Sequence, residues 1–284
     1  MPELPEVETT RRGLIPALER ARIARVELRR KDLRFPFQPD FADRLAGRRV
    51  EKLERRAKYL VARLDSGDAL VAHLGMSGSF RIEGGAPLAG LYYETARLAA
   101  HDHVLLHLEG GASVIYNDPR RFGFMFVERL EQLAAHPRFS GIGLEPLEPP
   151  LTGAALRKRI GASRAPLKAA LLDQRLIAGL GNIYVCEALH RARLSPDRRG
   201  ADLGKAEAAT LARSIRAVLQ EAIAAGGSTL RDFSGADGKP GYFQHRFRVY
   251  DREGAPCATR GCKGLVQRAT HAGRSTFFCP SCQR

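Results

Sequence analysis

The chain has 284 residues, with 46 Lys and Arg against 31 Asp and Glu, for a formal net charge of +15 at neutral pH. A hydrophobic fraction of 44% and a charged fraction of 27% are those of a folded protein and exclude global disorder. The positive excess favours a polyanionic partner, nucleic acid before an anionic membrane, and the sequence has no run of the roughly 18 apolar residues that a spanning helix needs.

The length suggests about two domains. The acidic start Met1-Pro2-Glu3-Leu4-Pro5-Glu6 is unlike a basic signal peptide, so a cytoplasmic protein is expected. Residues 5–16 read as a short helix, with proline at its start, Glu6 and Glu8 early and Arg11 and Arg12 late, as the helix dipole favours. Short β-rich runs follow at 23–28, 58–64, 69–74, 103–108, 113–116 and 122–127, separated by turn signals such as Asp65-Ser66-Gly67-Asp68 and Glu109-Gly110-Gly111. Strands at this spacing predict an antiparallel sandwich or barrel. The proline-dense stretch 141–150 marks a boundary, beyond which 154–160, 167–178, 183–192 and 205–225 have helical composition and periodicity. Residues 226–241 are rich in Gly and Pro and read as a mobile loop. The expected division is a β-sandwich domain 1–135, a linker 136–150, a helical domain 151–240 and a cysteine-bearing segment 241–284.

Four of the five cysteines fall in the last 28 residues as Cys257-x4-Cys262 and Cys279-x2-Cys282, with 16 residues between the pairs. Two such pairs, each brought close by a tight turn, supply four thiolates in a tetrahedron, the arrangement preferred by one structural Zn(II). Few apolar residues are available there, so metal binding is expected to supply much of the folding free energy. Residues 241–284 carry eight Lys and Arg against two acidic residues, a net of +6, reduced to about +4 once four thiolates hold Zn(II). A closed four-thiolate site leaves no position for water, so this segment suits nucleic-acid binding better than catalysis. Cys186, in an apolar helical run, reads as a buried inert thiol.

Pro2 follows the initiator Met, and a small second residue usually permits removal of that Met, leaving a secondary amine. An α-amino group with a pKa of about 7.7 to 8.0 is partly unprotonated near neutrality. Attack by such an amine on a sugar carbon gives an iminium that is cationic without a further proton and withdraws electrons. Glu3 is close enough to act as acid or base. On these residues alone an ordinary helix start is the simpler reading.

Several segments read together change that balance: Met1-Pro2-Glu3-Leu4-Pro5-Glu6-Val7-Glu8, Arg56-Ala57-Lys58-Tyr59-Leu60, His73-Leu74-Gly75-Met76-Ser77-Gly78, Asn117-Asp118-Pro119-Arg120-Arg121-Phe122-Gly123, Gly179-Leu180-Gly181-Asn182-Ile183-Tyr184 and the cysteine tail. In this order, and along the whole chain, they resemble the formamidopyrimidine-DNA glycosylases. The resemblance implies an α+β multidomain fold: an N-terminal helix plus antiparallel β-sandwich, a helix-two-turn-helix domain and a C-terminal β-hairpin zinc finger. It implies a monomer acting at the nucleoid on double-stranded DNA that contains oxidised bases or abasic sites. The implied reaction excises 8-oxoguanine and formamidopyrimidines, then nicks the strand by β,δ-elimination.

By motif, Pro2 would attack C1′ to form a Schiff base and Glu3 would assist base departure or sugar opening. Lys58 would contact phosphate and transfer a proton in β-elimination, and Arg274 would grip phosphate and serve δ-elimination. Met76, Arg120 and Phe122 would fill the gap left by a flipped base, with Arg120 facing the widowed cytosine. His73, His101, Arg164, Lys168 and Asn182 would contact or attract DNA, Arg231 would lie in the loop that covers the lesion, and Cys257, Cys262, Cys279 and Cys282 would hold zinc. The chain departs from many members in the Cys-x4-Cys spacing and in having Arg231 and Arg164 where some have lysine. Two alternatives stay open: the sister activity on oxidised pyrimidines, against which Leu4 and Val7 argue, and a non-catalytic zinc-finger DNA binder, which would leave Pro2 and Glu3 idle. The His101-x-His103 spacing gives only weak support to a second metal.

Overall fold

The computed structural model describes residues 2–84, 98–228 and 241–284, and its contacts divide the chain into two compact units. The first holds residues 2–140 with 225–228 and 241–242; the second holds 141–224 and 243–284. The division differs from the expected segments in two ways: the described ends of the 226–241 loop group with the sandwich, and the cysteine segment groups with the helices.

In the first unit, α1 (Leu4–Leu18) starts on a capping box. The Glu3 side chain accepts from the Glu6 amide, and Glu6 Oε2 accepts from the Glu3 amide at 2.9 Å, so two orphan helix donors are satisfied reciprocally. After β1 (Ile23–Leu28) and the short α2 (Phe41–Leu45) come β2 (Val50–Arg56), β3 (Tyr59–Leu64), β4 (Asp68–His73), β5 (Ser79–Glu83), β6 (Asp102–Leu108), β7 (Ser113–Asn117) and β8 (Phe124–Arg129). They form two antiparallel sheets, ordered β1-β6-β7-β5 and β2-β3-β4-β8. Alternate residues explain the sandwich: Leu60, Ala62 and Leu64 join Ile23, Val104, Leu106 and Leu108 of the other sheet in one core, which also takes Val7 and Leu14 from α1. Val61 and Val71 point the other way and pack with Leu133 and Phe139. Both faces of β3 and β4 are therefore covered, which is why these strands read as nearly continuous apolar runs.

The second unit contains α3 (Gly153–Ile160), α4 (Leu167–Leu172), α5 (Asn182–Ala192) and α6 (Lys205–Ala224), followed by the hairpin β9 (Gln267–His271) and β10 (Arg274–Phe278). α4 is shorter than expected because the chain turns out of the helix at Asp173. α5 packs against α6 and against β10. The finger has little core of its own: Val249, Val266 and Phe277 cluster around Cys186, which α5 supplies. Among the described residues no helix is long and apolar enough to cross a membrane.

Candidate active site and nucleic-acid surface

Pro2 and Glu3 are both buried at the start of α1. Glu6 links this end to the edge of the glycine-rich loop: its Oε1 accepts from the amide of Ser228 at 2.8 Å and from the Ser228 hydroxyl at 3.1 Å, while Oε2 holds the Glu3 amide. Arg231 lies outside the described residues.

Lys58 occupies the tight turn between β2 and β3, after Ala57 at φ +52°. Its neighbour Tyr59 pairs with His73 at the end of β4. The His73 ring stacks on Phe124 at 5.1 Å and 7°, and its Nδ1 accepts from the Gly75 amide at 3.0 Å, so in the neutral ring the proton sits on Nε2. Burial first, then the positive charges of Lys58, Arg34 and Arg138, bring His73 down to about 4. A neutral imidazole surrounded by three cations is a place where an anion lowers the energy. The Arg138 guanidinium also lies 4.3 Å from the centres of both the Phe35 and Phe124 rings.

Met76, Arg120 and Phe122 are brought onto two adjoining loops. A side chain at Gly75, which has φ +63°, would come within 2.3 Å of the backbone at Phe122 and Gly123, so only glycine lets the loops touch. Met76 is 40% and Phe122 42% exposed, unusual for such residues, and the Arg120 guanidinium lies 4.8 Å from the Phe122 ring centre. Phe122 is not in a strand as expected, because the backbone from 118 to 123 is held by Asp118 and β8 begins only at Phe124. Asp118 is completely buried. Its carboxylate accepts from the Ser77 hydroxyl (2.6 Å), the Tyr116 hydroxyl (3.2 Å) and the Gly123 amide (2.8 Å). His101 lies at the foot of this loop, its carbonyl accepting from the Asp118 amide. The His103 Nε2 is engaged by the Asp118 carbonyl at 3.0 Å, and among the described residues the cysteines are the only group of three or more metal-type side chains, so His101 and His103 gather no third ligand there.

In the second unit, Arg164 is exposed between α3 and α4, and Arg274 is exposed beside the hairpin turn. Asn182 opens α5, where the dipole is positive, and its Nδ2 donates to the Ser275 carbonyl of β10 at 2.8 Å. Lys168 requires a correction. Its side chain is 0% exposed, and its Nζ donates to the Asn182 carbonyl at 3.2 Å and to Cys186 Sγ at 2.8 Å. An ammonium enclosed in this way cannot meet a phosphate; it supports the start of α5 from within. Cys186 is buried as expected, and burial pushes its thiol up, against the pull of the Lys168 charge.

The four tail sulfurs all lie within 4.8 Å of one another, with Cys257 to Cys282 and Cys262 to Cys279 each at 3.7 Å. A tetrahedron of thiolates about 2.3 Å from zinc has edges of roughly 3.8 Å, so the donor set fits such an ion. Burial raises the Cys257 thiol, but hydrogen bonds from His190 and from the hydroxyl and amide of Thr259 outweigh it and bring it down to about 6. The Cys282 thiol is pushed up to about 12, by burial and by the sulfurs beside it.

Residues 1–125 match the N-terminal domain of formamidopyrimidine-DNA glycosylase and residues 142–234 match its H2TH domain. The chain belongs to the formamidopyrimidine-DNA glycosylase family. A formamidopyrimidine-DNA glycosylase of Beijerinckia indica subsp. indica is 60% identical over 290 residues, and one of Chelativorans sp. is 58% identical over 297, each match covering 100% of both chains. Among solved structures, the MutM (Fpg) protein of Thermus thermophilus is 43% identical with a TM-score of 0.84, covering 99% of this chain and 98% of that one. The Lactococcus lactis Fpg mutant G226P, in complex with Fapy-dG-containing DNA, is 33% identical with a TM-score of 0.85 and full coverage of both chains.

Several supporting residues of this glycosylase-family chain are not marked by motif reasoning. Glu6 and Asp118 stand inside quoted motifs, yet nothing in the sequence says that each collects three donors. Arg34 and Arg138 are ordinary basic residues until the fold sets both against His73, and Arg138 lies in a stretch that composition assigns to a linker.

Proposed function

We propose that this protein is a bifunctional DNA glycosylase and AP lyase that removes oxidised purines, 8-oxoguanine and formamidopyrimidines, from duplex DNA in the cytoplasm. Removal of Met1 frees the Pro2 nitrogen, which attacks C1′ of the damaged nucleotide; Glu3 supplies the proton that opens the sugar or releases the base. The C1′–N bond to the base breaks as the bond to Pro2 forms and the Pro2 nitrogen gives up its proton; the C1′–O4′ bond then opens with a proton going to O4′, and the resulting iminium acidifies the hydrogens at C2′. Lys58 takes up a proton in the β-elimination that expels the 3′ phosphate, and Arg274 assists the δ-elimination that expels the 5′ phosphate. Phosphates approach the neutral His73 among Lys58, Arg34 and Arg138, and in the second unit Arg164, Arg274 and the α5 terminus at Asn182. Met76, Arg120 and Phe122 enter the stack vacated by the flipped base, which their exposure allows. Arg231 lies in the covering loop, and His101 supports the insertion loop. Cys257, Cys262, Cys279 and Cys282 hold one Zn(II), which when bound supplies a structural cross-link. The enzyme acts as a monomer.

The observation that carries this reading is the placement of Pro2 and Glu3 together, buried, at the cap of α1. Borohydride trapping on a duplex with one 8-oxoguanine is expected to give a covalent protein–DNA adduct, lost when an extra residue precedes Pro2. Glu3→Gln should lower base excision by roughly 100-fold or more while still trapping on abasic DNA. Undiminished cutting by amino-terminally acetylated protein would overturn the mechanism. Faster cutting of an oxidised-pyrimidine duplex than of 8-oxoguanine would move the protein to the sister activity.

A further inference from the structure

We infer that His190 is a positioning residue for the metal centre, donating its Nε2 hydrogen to the Cys257 sulfur and fixing that ligand from outside the finger. The inference rests on reading the four cysteines as metal ligands. His190 lies in the last turn of α5 and is 1% exposed. Its Nε2 is 3.4 Å from Cys257 Sγ and 3.2 Å from Thr259 Oγ1, while its Nδ1 is buried with no hydrogen-bond partner among the described residues.

That asymmetry selects the tautomer. A proton on Nδ1 would bury an unsatisfied N–H and leave a lone pair facing a thiolate. A proton on Nε2 gives an N–H···S bond and leaves Nδ1 bare, the smaller penalty of the two.

The other sulfurs are treated differently. The Thr259 amide also donates to Cys257 at 3.4 Å, and the Gly264 amide donates to Cys262 at 3.4 Å, but both amides belong to the finger's own turns. Among the described residues, His190 is the one donor to a sulfur of the cluster that comes from a helix. Four thiolates around a dication leave an excess of negative charge, and a hydrogen bond to one sulfur both offsets it and fixes the direction of the lone pair offered to the ion. α5 is suited to this task because it is tied to the finger along its length. Asn182 donates to Ser275, the Glu187 carboxylate accepts from the amides of Arg248, Val249 and Tyr250, and the Leu194 carbonyl just beyond the helix accepts from Gln283.

The test is the rate at which purified zinc-loaded protein gives up its ion to a chromogenic chelator, together with the thiolate-to-metal absorption band of the cobalt(II)-substituted protein. His190→Phe keeps a ring of similar volume and removes the donor; it should release zinc roughly 10- to 100-fold faster and move the cobalt band to lower energy. His190→Gln places an amide N–H where Nε2 stood and should stay within about threefold of wild type with the band unmoved, whereas a merely space-filling role would favour the Phe variant. Equal release rates and an unmoved band for His190→Phe would overturn the inference. If that variant does not fold, His190→Asn, whose donor falls short, replaces it, and equal release by the Asn and Gln variants is then the overturning result. Wild-type protein that holds no stoichiometric metal would instead overturn the underlying metal reading.

Discussion

The loop that carries Arg120 and Phe122 and the hairpin that carries Arg274 both present an exposed arginine, and different physics holds each in place. The first is built from within: one buried carboxylate, Asp118, collects hydrogen bonds from Ser77, Tyr116 and Gly123 beneath a sandwich core. The second has only Val249, Val266, Phe277 and the borrowed Cys186 for apolar packing, and depends on four sulfurs brought together by two turns. A carboxylate hub forms when the fold forms. A sulfur cluster instead holds its shape only when an ion offsets the repulsion among its thiolates, so the two surfaces should fail under different treatments.

Metal removal should have the largest effect and should be one-sided. Structural zinc contributes about 10 to 16 kcal/mol in isolated fingers at neutral pH, far more than a short hairpin gains by itself. Exhaustive chelation, or Cys279→Ser, should expose the amides of β9 and β10 to hydrogen exchange and lower duplex affinity by roughly 100-fold at moderate salt, while the sandwich amides stay protected. Retained protection in the hairpin after chelation would break the comparison. Asp118→Ala is the converse experiment. It leaves two hydroxyls and an amide without their acceptor, at about 1 to 3 kcal/mol each, so calorimetry should show the sandwich transition lowered by roughly 10 °C with zinc content unchanged. A stable Asp118→Ala protein with full base-excision activity would show that the loop needs no internal support.

How far each region could be read from the sequence follows the same division. The finger is legible because cysteine spacing is a local signal. The strands β2 and β5 are not, and both lie at sheet edges, although the edge strands β1 and β8 are legible. Val50-Glu51-Lys52-Leu53-Glu54-Arg55-Arg56 carries so many charges because an edge strand has solvent on one side and benefits from groups that discourage further pairing, which erases the alternation on which a strand assignment depends. Pro2, Glu3, Lys58, Asn182 and Arg274 are legible as motif positions. What motifs do not convey is a partner distant in sequence: the enclosure of Lys168 by α5, the donation from His190 to Cys257, and the convergence of Arg34 and Arg138 on His73.

Acid should separate the two units by a smaller margin. The His73 ring is held near 4 in the folded protein against an ordinary 6.5, so the unfolded chain takes the proton first. The stability associated with the neutral ring is fully present above about pH 6.5 and declines as the pH falls towards 4. At about 1.4 kcal/mol per pKa unit the loss is roughly 3 kcal/mol. Urea unfolding of the sandwich followed by its core signals should show this decline, and His73→Gln should flatten it. Equal slopes in the two proteins would mean that neither burial nor the surrounding cations hold the His73 ring neutral.

The smallest effect tests the turns beside the two basic residues assigned to elimination. Ala57 precedes Lys58 at φ +52°, and Ala272 lies two residues before Arg274 at φ +49°. Both alanines are in the left-handed region, which costs a non-glycine residue roughly 1 to 2 kcal/mol. Ala272 is exposed and is followed by Gly273 at φ +69°, the pattern of a two-residue hairpin turn that favours Asn-Gly. Ala272→Asn should therefore raise the stability of the metal-loaded finger by about 0.5 kcal/mol, read as slower hydrogen exchange across β9 and β10. Ala57 has the same backbone strain but is only 3% exposed, so the same substitution there must bury an amide and should destabilise the sandwich. Opposite signs would show that asparagine relieves a left-handed residue only where its side chain stays in water. Stabilisation at both would mean that the space around Ala57 tolerates a polar group, and that the region around Lys58 is wetter than its burial implies.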